Sequence, residues 1–276
     1  MITAAKPAPG AVRQLRVFGR VLALNIGMTF VYRGDFLLLQ IASVLTPLVS
    51  LVVWQAALAA GATIGVTAEF LTTYFVLVAV VNMLTSSWTA WFLAEMIRDG
   101  SLNKWLIRPA SVHLDGLANN LGEKAIKLLL LAPLILILII VMPGRLAVPG
   151  DPARWLLFVL AILIAMAMAY IFDIARGSLA FWFEDVQGFN LAISIMTPVL
   201  SGAVVPLALM PPEVAGITLW QPFRFMLSFP MEVLLDQVPG GLLFGFAQQV
   251  GWLIVFAVAA LVIWRVGLRS YSAVGA

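Results

Sequence analysis

The chain has 276 residues, 63% of them hydrophobic and 11% charged, with a mean hydropathy of +1.06, where a soluble domain uses about 25% charged and 45–50% apolar residues. Its 16 basic and 13 acidic side chains cannot cover a globule of this size, so soluble, disordered and fibrous classes are excluded and an all-α polytopic membrane protein remains. With no cysteine, disulfides, thiol nucleophiles, iron–sulfur clusters and thiolate zinc sites are excluded, and the single histidine, His113, cannot make a multi-histidine metal site.

The first expected element is a helix over 11–33 lying along the membrane surface. Arg13, Arg16 and Arg20 fall on one helical face, and the apolar stretch Val21–Tyr32 is too short to span. Arg33 and Asp35 follow it without a small-residue cleavage pattern, so it does not read as a signal peptide. A basic anchor that only sets topology fits equally well. Six apolar runs then predict spans near 36–60, 70–94, 118–142, 155–180, 188–210 and 242–265, all helical because unsatisfied backbone cannot face lipid. Thirteen of the 16 cations fall on one side of that arrangement, which places both termini in the cytoplasm. The basic pI is thereby explained without nucleic acid as a partner.

Along the second span Asn82, Thr85, Ser86 and Thr89 recur at helical spacing. The fifth span carries a matching stripe, Asn190, Ser194, Thr197 and Ser201. Such faces turn away from lipid, either to bond neighbouring helices or to line a substrate route. After the second span Gly100 ends the helix and Ser101 is placed to cap a new one. Leu102, Trp105 and Leu106 share its face, Lys104 and Arg108 are free for solvent or an acidic partner, and Pro109 stops it. This short helix suits docking into another protein's groove, or seating Trp105 at headgroup depth.

Reactive chemistry is scarce. Around the fourth span Asp173, Glu184 and Asp185 could serve an intramembrane lipid-modifying enzyme, but three acids over thirteen positions, with Arg176 one turn from Asp173, make a poor hard-cation site. His113 beside Asp115 lacks a positioned serine. The span centres carry no ionisable residue, which argues against ion-coupled transport. No phosphate-binding G-x-x-x-x-G-K-[ST] loop exists, since Gly122–Glu123–Lys124–Ala125 lacks its spacing and hydroxyl, so ATP hydrolysis is expected only from a partner. Pro198 and Pro206 kink the fifth span. Pro211–Pro239 is too apolar for a solvated loop and predicts short external helices punctuated by Pro222 and Pro230.

Several of these stretches resemble the permease subunits of type-2 ATP-binding-cassette exporters, in the short bacterial branch with six spans. They are Gly100–Ser–Leu–Asn–Lys–Trp–Leu–Ile–Arg108–Pro109, Leu179–Ala–Phe–Trp–Phe183, Ser201–Gly202 with Pro206, Pro222–Phe223, Phe229–Pro230, and the ending Gly267–Leu–Arg269–Ser–Tyr271–Ser–Ala–Val–Gly275. The resemblance implies a single permease domain over 1–276 in the bacterial cytoplasmic (inner) membrane. It implies pairing as a homodimer or with a sister permease, and a separate cytosolic ATPase subunit that carries ATP and Mg, with no cofactor in this chain. The ATPase would couple through Gly100, Leu102, Trp105, Leu106, Arg108 and Pro109. Asn82, Ser86, Thr89, Asn190, Ser194, Thr197 and Ser201 would line the translocation route. Pro206, Pro222, Phe223 and Phe229 would form an external gate. The competing readings are the lipid-modifying enzyme and a membrane scaffold or immunity protein.

Overall fold

The computed structural model describes residues 11–31, 33–63, 65–108, 111–141 and 149–271, and among them there is no strand. The surface helix expected over 11–33 is α1, Ala11–Val31, which packs along α6, Val112–Val141. Gly122 makes that approach possible, because a Cβ there would sit 3.3 Å from Asn25 Cβ. Arg20 is exposed. The side chains of Arg13 and Arg16 lie outside the described residues. The helix α2, Arg33–Ala59, returns antiparallel to α3, Ala68–Thr85, with Thr67 capping α3 by accepting from Phe70 N–H at 3.2 Å.

Chain continuity fails where the second span was expected to run on. The helix α3 stops at Thr85, three non-helical residues follow, and α4, Thr89–Arg98, begins. Four hydroxyl residues within five positions, Thr85, Ser86, Ser87 and Thr89, offer the backbone local partners in place of the helical ladder. Thr85 Oγ1 donates to Val81 O at 2.9 Å and Ser86 Oγ to Met83 O at 3.2 Å.

The centre of the molecule is α7, Pro152–Ser178, started by Asp151 accepting from Ala153 N–H at 2.9 Å. It packs against α3, α4, α6 and α12, Leu242–Ser270, and against two short helices, α10, Pro222–Met226, and α11, Ser228–Leu234. Small residues set the crossings. A Cβ on Gly177 would lie 2.9 Å from Ala90 O, and one on Gly267 only 2.1 Å from the Phe181 ring, so α4 and α12 lie directly on the cores they meet. By length and composition Ala68–Arg98, Pro152–Phe181 and Leu242–Ser270 are long and apolar enough to cross a membrane. Val17–Met28, Ser43–Ala59 and Gln187–Leu200 are shorter apolar helices.

The fifth expected span, 188–210, is shorter than its apolar run. The helix α8, Gln187–Leu200, ends two residues after Pro198, where Gly202 adopts φ +88° and Ala203 N–H returns to Pro198 O at 2.8 Å. The apolar stretch beyond it forms short helices as expected: α9, Pro212–Thr218, then α10 and α11.

Candidate functional site

Breaking a long apolar helix exposes carbonyls at the end of its first half and N–H groups at the start of its second. Both sets find partners of complementary charge on neighbouring helices. Lys124 of α6, 2% exposed, donates to Ser86 O at 2.7 Å and to Asn120 Oδ1 at 2.7 Å. Lys127, also 2% exposed, donates to Ser86 Oγ at 2.8 Å and pairs with Glu123 Oε1 at 2.6 Å. Two cations therefore stand where the α3 dipole is negative. On the other side Asp173 of α7 accepts from Ala90 N–H at 3.3 Å, an anion at the positive start of α4. Asp173 is held in turn by Arg176. The sequence reading counted Lys124 and Lys127 only as cations setting topology; in the fold they are buried between helices because the break gives them carbonyl and hydroxyl acceptors.

Around this break lies a cavity of about 790 Å³, walled by α1, α2, the α3–α4 junction, α6 and Tyr170 of α7. Asn82, Ser86 and Thr89, one of the two expected polar stripes, line it. The stripe does not run along one continuous helix. Its residues are split between the end of α3, the break and the start of α4. Gln40, Asn119 and Asn120 join it from α2 and α6, and Trp88, Trp91, Phe92 and Met96 supply an apolar wall. Tyr170 OH donates to His113 O at 2.5 Å and ties the α6 start to α7 at the cavity's edge. Burial holds the His113 imidazole below its ordinary pKa, so it stands neutral, edge-on to Trp264 at 4.4 Å. Burial pushes the neighbouring Asp115 carboxyl up, against the opposing pull of Arg108.

The second stripe goes elsewhere. Asn190 is buried, while Ser194 is exposed and donates to Leu191 O at 2.7 Å, and Thr197 donates to Ile193 O at 2.7 Å, both within α8. Ser201 is buried in a junction where Ser228 Oγ donates to Ser201 O and Tyr74 OH donates to Gly202 O at 2.8 Å. None of the four borders the cavity.

Past α4, Gly100 takes φ +76° and the chain turns into α5, Leu102–Leu106. Ser101 has helical dihedrals and makes no side-chain cap; Asp99 Oδ1 instead accepts its N–H at 2.8 Å, an interaction that holds the Asp99 carboxyl below the usual range. The expected shared face divides. Leu102 is fully buried and Trp105 half-buried among residues of α4, α7 and α12, whereas Leu106 and Ile107 are exposed, Ile107 at 86%. Leu106 stands only about 40° around the helix from Leu102, so the division follows from how α5 seats on the bundle, with Leu102 inside the packing and Leu106 at its outer edge. Lys104 and Arg108 are exposed too, with the Arg108 guanidinium 5.1 Å from the Trp105 ring centre. Pro109 lies outside the described residues.

Pro206 is buried beside Leu207, and Pro222 opens α10. Phe223 meets Phe172 edge-on at 5.8 Å, and Phe229, fully buried, packs on Phe225 and Phe246 at 5.4 and 5.2 Å. The most buried charge in this region was not singled out from the sequence. Arg224, 1% exposed, binds Glu232 through Nε at 3.0 Å and Nη2 at 2.5 Å, and its Nη1 donates to Leu219 O at 3.0 Å. The eight-residue spacing of the pair crosses the α10–α11 kink, which no helical periodicity reveals. Gln249 of α12 was also missed: fully buried, it donates to Ala161 O and Phe225 O, both at 3.0 Å.

The acids of the enzyme reading do not converge. Asp173 is committed to Ala90 and Arg176, while Glu184 and Asp185 are exposed, Asp185 accepting from Gln187 N–H at 2.8 Å. Among the described residues no three acidic or histidine side chains group as a metal site. The sequence matches the family model described as ABC-2 family transporter protein over residues 65–275, and the chain belongs to that family. The match spans α3 to α12, hence the break, α5 and most of the cavity wall. No curated protein and no solved structure matched the chain.

Proposed function

We propose that this chain is the permease subunit of an ATP-binding-cassette exporter in a bacterial inner membrane, with both termini cytoplasmic. It works as a pair, two copies or one with a sister permease, and each half carries a separate cytosolic ATPase subunit that holds ATP and Mg. Membership of the ABC-2 family supports transport. The observation that carries the link to an ATPase is the orientation of α5: anchored inward by Leu102 and Trp105, it presents Leu106 and Ile107, flanked by Lys104 and Arg108, to the outside. An exposed apolar pair with cationic neighbours fits a groove with an acidic rim.

Movement of α5 reaches the cavity by a short path. The inward side of α5 is packed with Leu93, Ala94 and Ile97 of α4, and α4 supplies Trp91, Phe92 and Met96 to the cavity wall, with Trp88 just before it. Because α4 is severed from α3 at Ser86–Trp88, it can tilt without carrying α3 along. In this mechanism ATP-driven displacement of α5 reshapes the cavity, and solute leaves past α9–α11.

The test is co-purification with the ATPase from native membranes. Leu106→Asp with Ile107→Asp is expected to abolish association while leaving the permease folded, since both side chains are exposed. Retention of the ATPase by this variant would show that α5 is not the docking element.

A further inference from the structure

The cavity beside the α3–α4 break holds an unused hydrogen-bond acceptor. Gln40, nine-tenths buried, lines it, and its Oε1 accepts no hydrogen bond from any described residue. A buried acceptor left open is destabilising, a penalty that a bound donor would remove. The same cavity is lined by the carboxamides of Asn82 and Asn119 and the hydroxyl of Thr89, groups that both donate and accept. The buried lysines beside the cavity are already matched. Lys127 is bound by Glu123 and Ser86, and Lys124 by Ser86 O and Asn120. Asp115, at the edge nearer α5, lies in the field of Arg108. An anionic headgroup entering here would lose its water without gaining a free cation, and a quaternary ammonium has no donor to offer the Gln40 oxygen. The remaining wall, Trp88, Trp91 and Phe92, is aromatic and partly exposed, suited to a hydrocarbon chain or the apolar face of a sugar. At about 790 Å³ the space lies within the range of small-molecule sites.

We propose that this cavity binds an amphiphile with an uncharged head rich in hydroxyl or amide N–H donors, seated against Gln40, Asn82 and Asn119, with its apolar portion along Trp88, Trp91 and Phe92. This names the substrate class for the transport reading above and rests on that reading only for the word substrate, because the binding itself needs no ATPase.

The full chain in phosphatidylcholine nanodiscs is titrated with three nitroxide-labelled amphiphiles of one chain length: an alkyl glycoside, an alkyl trimethylammonium and an alkyl phosphate. Saturable quenching of tryptophan fluorescence by the glycoside is expected. Replacing Trp88 and Trp91 with Phe should remove the saturable part, and Gln40→Leu should weaken glycoside affinity about tenfold. Asn119→Leu, an exposed position, should weaken it in the same direction and guards against misfolding of the Gln40 variant. The proposal is overturned if the glycoside shows no saturable quenching, if either charged amphiphile binds as tightly, or if neither polar substitution changes affinity. Selective binding without ATPase association would uphold this site and remove the exporter reading. ATPase association without selective binding would do the reverse.

Discussion

At the residue scale the fold depends on a few charges buried where apolar sequence surrounds them. Arg224 is the clearest: three donors are engaged by Glu232 and Leu219 O, and the guanidinium lies 5.0 and 5.8 Å from the rings of Phe225 and Phe229. Removing one partner of such a pair strands the other. Arg224→Met should therefore cost about 3–5 kcal/mol, and Arg224→Met with Glu232→Gln distinctly less. Thermal unfolding of the two variants in detergent checks this, and equal losses would mean the pair is not coupled. These contacts were not legible from the sequence, since eight residues separate the partners across a kink. Lys124 and Lys127 were visible as cations, yet their burial depended on a helix break that periodicity hides.

At the scale of elements, the long helices were largely legible, because apolar runs of about 20 residues leave backbone little choice. The short helices α9, α10 and α11 were legible from their prolines and apolar content. The break after Thr85 was open to detection in the clustered hydroxyls Thr85, Ser86, Ser87 and Thr89, whereas a reading that looks only for a common face treats them as one stripe. Likewise α5 is too short for heptad logic to separate Leu106 from Leu102 and Trp105, so which apolar residues turn inward had to come from packing. The break makes a specific demand on mechanism. Ser86→Leu with Ser87→Ala removes the local hydroxyl partners and favours one continuous α3–α4 helix. ATPase association should survive in this variant, while stimulation of transport by ATP should fall severalfold in a vesicle assay. Unimpaired transport would show that α4 need not move independently of α3.

At the scale of the molecule, α8 is the least supported of the described helices longer than ten residues. It touches chiefly α10, and it exposes Phe189, Leu191, Ile195, Met196 and Val199 on its outer side. The sequence showed its polar stripe but not that the stripe would miss the cavity, because that depends on how α8 stands against the bundle. In the pairing proposed above, this face is the one expected to meet the second permease. The chain has no cysteine, so Ile195→Cys introduces a single thiol. With two copies paired through α8, mild oxidation in native membranes should produce a species of twice the chain's 29.9 kDa. No dimer band from Ile195→Cys, with a readily alkylated thiol, would place α8 away from a twofold interface between copies.

The central claim is that hydrolysis on a separate subunit works this permease through α5 and α4. It is tested most directly by the ATP hydrolysis rate of the ATPase reconstituted in vesicles with the native permease, and with the Leu106→Asp, Ile107→Asp variant. The account predicts a rate that changes severalfold when the native permease is present and returns to that of the free ATPase with the variant. The same rate with the native permease, the variant or no permease would contradict it.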